Sequence, residues 1–479
     1  MRILRLGFAL LLLSAAGLCA APARAGLFTA VPAAAPGSVG GTAGAARTKL
    51  KHLIFIVQES RSFDHFFGTF PGADGIPTNP PCQIDPQHPS ACDTPYPDHK
   101  AGNMGGPSTN AYQVQDVDGG KMDGFVESAE QAESGRCGSH CKVDVMGFHD
   151  GTDLPNYWAY ASAYTLFDHF YESVEAWSLP AHLALFSGWS ASCTQPAYQA
   201  SQPNVDDCAS SFDDQTWSPA GDGAAPTPYL WTDITYLLHQ HAVSWNAYLD
   251  GGLGPPIGPP DTEVQGIWIP LGGFETVVDD GQYPNAIGST ALDFRNQALA
   301  GTLPQVSWVI PNYLDSDQPQ ASIKTSQSYV TSLVNAVMKG PDWDSSAILI
   351  VWDNMGGFYD HEPPPFALDS EGPGLRVGSI LISPYAKAGF IDHRIATTDS
   401  YLKLIEDVFL DGERISQSGR PDPRPDYRDQ AKRLSDLLDA FDFSAPPRPA
   451  LVLSTHPMTL LEDDAASAAR GRAVGTRRR

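Results

Sequence analysis

"HLIFIVQESRSFDHFFGTFPGADGIP", residues 52–77, begins with a short apolar run that ends abruptly in polar side chains. The continuous apolar character of Leu53–Val57 is typical of a strand buried on both faces of a parallel sheet. This strand delivers Glu59 to its carboxyl end, where ligands bind in parallel α/β sheets. A second apolar run, Ala347–Trp352, leads in the same way to Asp353. The sequence therefore predicts two acidic strand ends at one edge of a sheet.

Two carboxylates brought together at a sheet edge repel each other unless a cation neutralises them. Glu59 and Asp353, followed by Asn354, are therefore candidate ligands of a divalent metal ion whose identity the sequence leaves open. The alternative is that each acid caps the turn or helix after its strand. Histidines in the loops favour the metal, and His361 is the most suggestive because "GGFYDHEPPP" places it just past Asp353.

A second candidate lies in "EAWSLPAHL", residues 175–183. Pro180 suits the first turn of a helix, so Ser178 stands at or just before the helix N-terminus. The helix dipole and free amides would favour an anionic serine nucleophile there, together with any phosphate attached to it. Plain N-capping by Ser178 explains the same spacing equally well.

Strand and helix patterns alternate along the rest of the chain, which indicates an α/β fold with a mostly parallel central sheet. Helices are predicted over Tyr157–Phe167, Pro180–Phe186, Trp231–His241, Ser326–Met338 and Thr398–Leu410, and further strands over Ala242–Tyr248, Gln305–Ile310 and Ser379–Ser383.

The N-terminus has the layout of a secretory signal peptide: arginines, then an apolar run, then Ala-Arg-Ala at 23–25. We predict a signal peptide over residues 1–25, a flexible lead-in over 26–48, one large domain over 49–450, and a partly disordered C-terminal tail over 451–479. No later segment resembles a transmembrane helix. The protein is therefore expected to be secreted or periplasmic.

The chain carries 30 basic and 55 acidic residues, a formal charge of −25, which becomes −28 when the signal peptide removes three arginines. Such a surface repels phosphate-rich polymers, so nucleic acid is not an expected partner. Six cysteines remain, and an even count in an exported protein suggests disulfides. Spacing favours the pairs Cys82–Cys92, Cys137–Cys141 and Cys193–Cys208, with a zinc site at Cys137, His140 and Cys141 as a lesser alternative.

Several stretches together resemble the bacterial phosphoesterase family, which contains phospholipases C and related acid phosphatases. They are "QESRSFDHFFGTFPGADGIP" (58–77), "DVDGGKMDGFV" (116–126), "VMGFHDGTDLPNYWAYA" (145–161), "EAWSLPAHL" (175–183), "WDNMGGFYDHEPPP" (352–365) and "GLRVGSILISPYAKAGFIDH" (374–393). The resemblance extends from about His52 to Pro447. It implies an alkaline-phosphatase-like α/β sandwich and makes 49–450 a phosphoesterase domain.

The resemblance also implies residue roles. Ser178 would be a metal-bound nucleophile that becomes a transient phosphoserine. The metal would be held by Glu59, Ser60, Asp353 and Asn354. The catalytic histidines would be His149, His182 and His361, and the expected substrate is a small-molecule or lipid phosphate ester.

The chain departs from the family pattern at four site positions. Ser60 replaces Asn, Ser108 and Gln318 replace phosphate-binding histidines, and Asn354 replaces an acid. Neither Ser nor Gln titrates near neutrality, and losing general acid catalysis costs about 10²–10⁴ in rate.

Taken together, the matching stretches predict a secreted phosphoesterase. The alternative is a catalytically weakened member that acts as a secreted binding protein. A third possibility is that the altered pocket acts on another ester, such as a sulfate.

Overall fold

The computed structural model describes residues 39–137, 144–193, 208–209, 216–217, 229–255, 257–366, 372–420, 422, 424 and 426–462. The chain divides into two units, Met1–Val39 and Gly40–Arg479, and the architecture below is that of the second. The predicted signal peptide lies outside the described residues. None of the described helices is both long and apolar enough to cross a membrane.

The described residues form the helices α1 (Val39–Lys49), α2 (Phe63–Phe67), α3 (Asn110–Val117), α4 (Phe125–Cys137), α5 (Pro155–Ala163), α6 (Ser178–Ser187), α7 (Ile234–Gln240), α8 (Glu275–Asp279), α9 (Tyr283–Ile287), α10 (Ala291–Ala300), α11 (Ile323–Lys339) and α12 (Thr398–Phe409). The strands are β1 (His52–Gln58), β2 (Tyr96–Pro97), β3 (Gly147–Phe148), β4 (Thr165–Phe167), β5 (Ser192–Cys193), β6 (Cys208–Ala209), β7 (Thr216–Trp217), β8 (Trp245–Leu249), β9 (Ser289–Thr290), β10 (Val306–Ile310), β11 (Ser346–Trp352), β12 (Ser379–Ile382) and β13 (Phe390–Asp392).

Eight of these strands form one sheet in the order β13-β4-β12-β11-β1-β10-β8-β9. Strand β1 is at its centre and pairs in parallel with both β10 and β11. Within this described sheet, only the pairs made by β12, with β11 and β4, are antiparallel. The predicted α/β class with a mostly parallel sheet is therefore confirmed.

The apolar run of β1 explains its central position. All its residues from Leu53 to Gln58 are buried, which is typical of a strand in a parallel sheet that is covered on both faces. Phe55 packs against Trp308 of the neighbouring β10, with ring centroids 6.1 Å apart, and against Tyr401 of α12 at 5.1 Å. A rigid, fully buried strand of this kind fixes the position of whatever residue follows it.

Two stretches differ from the sequence-based expectation. The helix predicted over 157–167 ends at Ala163, because the apolar residues that follow it form β4 and pair with β12 and β13. The range 26–48, predicted as a flexible lead-in, contains all of α1 except Lys49, and Ala43 and Ala46 of that helix are buried in the main core. The tail over 451–479, predicted to be partly disordered, contacts the domain at its start, since Asn335 Nδ2 donates to the Leu453 carbonyl at 2.8 Å. Its disorder stays a prediction.

One predicted cysteine pair is present as a disulfide, Cys82–Cys92. Cys193 and Cys208 are register partners in the antiparallel pair β5–β6, and their disulfide stays a prediction. Cys141 and His140 lie outside the described residues, so the second predicted pair and the zinc alternative stay predictions.

Candidate active site

The carboxyl ends of β1 and β11 lie side by side. Their register pairs Gln58 with Trp352, so the next residues, Glu59 and Asp353, occur at the same level of the sheet edge. The Ser60 amide donates to Asp353 Oδ1 at 2.8 Å, which joins the two strand ends directly. The structure therefore brings together the two acids that the sequence places after separate strands.

Helix α6 adds the predicted nucleophile to this edge. Ser178 is the first residue of α6, and its hydroxyl donates to Glu59 Oε2 at 3.0 Å. The N-cap residue is Trp177, and α6 has no side-chain cap hydrogen bond. The capping interpretation of Ser178 is therefore wrong. His182, one helical turn later on the same face, places Nε2 2.9 Å from Glu59 Oε1.

Burial dominates the electrostatics of this cluster. Glu59 and His182 are completely inaccessible, and Asp353 is 5 % exposed. Burial raises the pKa of Glu59 to about 8, and burial together with the charge of Glu59 raises the pKa of Asp353 to about 8. Burial lowers the pKa of His182 to about 4, so its imidazole is neutral.

This donor set fits a divalent metal ion. One ligand atom each from Glu59, His182 and Asp353 lie within 4.8 Å of one another. Two buried carboxylates of the same charge are stabilised by a cation, and a neutral imidazole is an effective ligand for zinc and related ions. His182, expected from the sequence to act in catalysis, is therefore placed among the candidate ligands.

Asn354 and Ser60 lie in the same cluster with other contacts. The Asn354 amide nitrogen donates to Ser178 Oγ at 3.1 Å and to Asp353 Oδ2 at 2.7 Å, while its oxygen accepts from the Gly356 amide at 2.9 Å. Asn354 thus orients the Ser178 hydroxyl rather than presenting a free oxygen to an ion. Ser60 contributes its backbone amide to Asp353.

Two glycines allow the turn after Asp353 to approach its neighbours. Gly356 has a φ of 65°, and a Cβ there would lie 2.2 Å from the Ser60 carbonyl oxygen. At Gly357, with φ 73°, a Cβ would lie 2.2 Å from the Gly106 backbone. Only glycine tolerates both the positive φ and this close approach.

His149 belongs to a second buried group beside this edge. Its Nδ1 lies 3.2 Å from Asp153 Oδ2, and its Nε2 lies 3.0 Å from Asn103 Oδ1. Asn103 also accepts from Arg61 Nη1 at 3.1 Å, and the Arg61 Nε donates to the Asp317 carbonyl at 2.7 Å. Burial lowers the pKa of His149, so it is a neutral hydrogen-bonding residue here.

His361 belongs to a third group. Its Nδ1 lies 2.8 Å from Asp64 Oδ2, and the buried Arg376 bridges Asp64 (3.1 Å) and Asp360 (2.8 Å). Burial opposes protonation, but the hydrogen bond and charge of Asp64 outweigh it and raise the pKa of His361. Among the hydrogen bonds and ring contacts of the described residues, none joins His149 or His361 directly to Ser178.

The two remaining predicted residues lie in loops around the cluster. The Ser108 carbonyl accepts from Gln113 Nε2 at 3.1 Å, and Gln113 also donates to Glu172 at 2.8 Å. Glu172 in turn accepts from the Met355 amide, next to Asn354, at 2.6 Å. The Gln318 side-chain oxygen is buried and has no hydrogen-bond partner among the described residues.

Sequence reasoning missed several residues that organise the site, namely Arg61, Asn103, Glu172 and Arg376. The local signal for Arg61 was its position within residues 52–77, two residues after Glu59. Asn103 and Glu172 carry no local signal, because their role depends on contacts with residues more than forty positions away.

The chain matches the family model described as "Phosphoesterase family" over residues 50–410. Among known proteins, it is 26% identical to phospholipase C A of Mycobacterium tuberculosis over 459 residues, covering 86% of this chain and 81% of that protein. It is 24% identical to a non-hemolytic phospholipase C of Burkholderia pseudomallei, covering 83% of this chain and 59% of that protein.

Solved structures show a weaker similarity. A complex of Ps i-CgsB with a neocarrahexaose matches with a TM-score of 0.38 and 11% identity, covering 82% of this chain and 76% of that one. A protein in the alkaline phosphatase superfamily from Vibrio parahaemolyticus matches with a TM-score of 0.32 and 13% identity, covering 72% and 76%.

Proposed function

The chain belongs to the phosphoesterase family, and from that membership we propose that it is an exported enzyme that cleaves phosphomonoesters or phosphodiesters, such as phospholipids, through Ser178. As a member of this family it is a phosphoric ester hydrolase; the substrate, the nucleophile and the export are our proposal. The observation that carries it is the Ser178 hydroxyl, held between Glu59 and Asn354 at a helix N-terminus.

The hydrogen bonds of Ser178 suit a nucleophile. Its hydroxyl donates to Glu59 and accepts from the Asn354 amide, which leaves one oxygen lone pair to attack phosphorus. The new Ser–O–P bond forms as the ester P–O bond breaks, and the departing alkoxide takes up a proton. Water then hydrolyses the phosphoserine, which releases phosphate or a phosphomonoester and restores the hydroxyl.

The α6 N-terminus lowers the energy of the negative charge that gathers at Ser178. Free backbone amides at the first turn and the positive end of the helix dipole both favour a phosphoryl group there. Since Ser178 is only 8 % exposed, these interactions are weakly screened by solvent.

We assign the metal-binding role to Glu59, Asp353 and His182, with Ser60 and Asn354 beside them. A bound divalent ion would lower the pKa of the serine hydroxyl and offset the charge of the phosphoryl oxygens. Because Asn354 is neutral, the cluster holds two carboxylates where the family pattern has three. We therefore expect weaker metal binding than in relatives with an acid at this position.

Among the predicted histidines, His361 is our candidate proton donor to the leaving group, because Asp64 raises its pKa. His149, neutral and bonded to Asn103, is assigned to positioning the loops that receive phosphate. Ser108 and Gln318 are assigned to phosphate binding through hydrogen bonds, since neither can act as a general acid.

A weakened enzyme that serves as a secreted binding protein is the second candidate. It is favoured by one observation: an amide nitrogen of Asn354, not a carboxylate oxygen, faces Ser178. Ser108 and Gln318 also favour this second candidate, because they stand where the family pattern has histidines, which titrate near neutrality.

The test is hydrolysis of p-nitrophenyl phosphate and phosphatidylcholine by the full chain, with and without added Mn²⁺, Zn²⁺, Mg²⁺ or Ca²⁺. We expect metal-dependent turnover that Ser178→Ala abolishes and that Ser328→Ala, a serine on α11, leaves unchanged. Activity that survives Ser178→Ala removes Ser178 from the mechanism. Phosphate-ester binding without turnover in every metal supports the binding protein instead. Export is tested by N-terminal sequencing, which should find Gly26 first.

A further inference from the structure

A second group of potential metal ligands lies away from Ser178, where the loop closed by the Cys82–Cys92 disulfide packs on α4. One ligand atom each from Asp85, His88 and Glu130 lie within 4.8 Å of one another. Ligands about 2.0–2.6 Å from a shared ion are separated by no more than about 5 Å, so one ion can contact all three.

Glu130 supplies the evidence that a ligand is needed here. Its side chain is 6 % exposed, and its Oε2 has no hydrogen-bond partner among the described residues. A buried carboxylate oxygen without a partner is unfavourable, since it has lost water and gained nothing in exchange. Burial, and next the charge of Asp85, raise the pKa of Glu130, because the opposing effects of the Gln87 amide and of His88 are smaller.

The space in front of Glu130 is a cavity of about 390 Å³ with an acidic lining. Besides Asp85 and Glu130, it is lined by Asp93 and Asp144, against the single lysine Lys100. Four carboxylates and one lysine leave an excess of negative charge that a divalent cation would neutralise.

The loop is held in place before any ion binds. Gln83 is buried, and its Nε2 donates to the Met122 carbonyl at 3.0 Å, while its Oε1 accepts from the amide of Phe125, the first residue of α4, at 3.1 Å. The Gln83 amide also donates to the Asp93 carbonyl at 3.2 Å. The disulfide and these bonds fix the loop against the helix that carries Glu130, so binding requires little ordering.

We propose that Asp85, His88 and Glu130 bind a second divalent cation, of the Mn²⁺ or Zn²⁺ type, which links the disulfide loop to α4. Mixed carboxylate and imidazole donors suit these ions, whereas Ca²⁺ takes oxygen ligands only. Asp85 accepts from the His88 amide at 2.7 Å, and its other oxygen lies 3.0 Å from His88 Nδ1. The two side chains are therefore already held in contact with each other.

The test is Mn²⁺ titration of the metal-stripped full chain by calorimetry, with elemental analysis of the bound metal. We expect two Mn²⁺ per wild-type chain and one for Glu130→Gln, which should keep its phosphate-ester turnover. The matched control is Glu127→Gln, one turn earlier on α4, which should bind as wild type does. His88→Ala should weaken the second site at least tenfold.

Thermal melting separates this site from the one near Ser178. In Glu59→Gln protein, Mn²⁺ should still raise the melting temperature, and adding Glu130→Gln should abolish that rise. Unchanged Mn²⁺ binding in Glu130→Gln overturns the proposal, as does unchanged affinity in His88→Ala. Wild-type protein that binds Mn²⁺ at both sites but hydrolyses neither phosphate ester would count against the proposed function alone.

Discussion

Replacing Glu59 by Gln should remove the contribution of one buried acid to the pH dependence of stability in the metal-free protein. The unfolded chain has the ordinary pKa of 4.5 at Glu59, and burial raises it to about 8 in the folded protein. Between these values the folded state keeps a proton that the unfolded state has released. Glu59 therefore favours folding below pH 4.5 and progressively loses that contribution as the pH rises through about 8.

The magnitude follows from the two pKa values. Each pKa unit corresponds to about 1.4 kcal/mol, so between pH 5 and pH 8 Glu59 alone lowers the free energy of unfolding by up to about 4 kcal/mol. Gln resembles the protonated acid in shape and hydrogen bonding but cannot ionise. Glu59→Gln should therefore be more stable than wild type at pH 8 and nearly equal at pH 5, although it loses the candidate metal ligand.

The assay is urea denaturation in a chelator at pH 5, 6, 7 and 8, comparing wild type, Glu59→Gln and the control Glu127→Gln. The difference between wild type and Glu59→Gln should grow with pH, while the control follows wild type. Added Mn²⁺ should stabilise wild type more at pH 8 than at pH 5, because protons compete with the ion. Parallel pH curves for wild type and Glu59→Gln would refute the assignment of an unneutralised, buried carboxyl group at Glu59.

Three further outcomes are expected. Asn354→Asp adds a third carboxylate to the cluster and should tighten Mn²⁺ binding about tenfold or more by calorimetry; unchanged affinity would contradict a metal beside Asn354. Gly356→Ala places a Cβ 2.2 Å from the Ser60 carbonyl at a positive φ, so it should lower the free energy of unfolding by about 1–3 kcal/mol in urea titrations, and wild-type stability would show that the turn can move freely. His361→Asn should lower kcat by about 10²–10⁴ and remove the alkaline decline of the pH–rate profile that the raised pKa beside Asp64 predicts, whereas an unaltered profile would exclude His361 as the proton donor.

The sequence predicted the centre of the fold closely. The boundaries of β1, β11, α11 and α12 fall within a few residues of the predicted ones, because continuous apolar runs and helical spacing record burial directly. The helix predicted over 157–167 was too long, because a short apolar run such as Thr165–Phe167 is compatible with either a helix or a buried strand. These residues form β4, since they pair with β12 and β13.

The candidate site was predicted in part. That Glu59 and Asp353 meet follows from two strands with acidic ends, and the register Gln58–Trp352 confirms the meeting. The sequence could not show that His182 turns toward Glu59, or that Asn354 donates to Ser178. Those contacts depend on where α6 docks, more than a hundred residues along the chain from both strands.

By itself, the sequence determined the fold class, the family and the two acidic strand ends, because hydrophobic pattern and local motifs are properties of short segments. Only the tertiary structure decided which histidine joins the acids and that His149 and His361 belong to separate groups. It alone also decided that Glu130 Oε2 has no hydrogen-bond partner within the described part of the chain. The physical reason is that a side chain's hydrogen bonds, burial and pKa depend on neighbours brought together by the packing of distant segments, which no local pattern records.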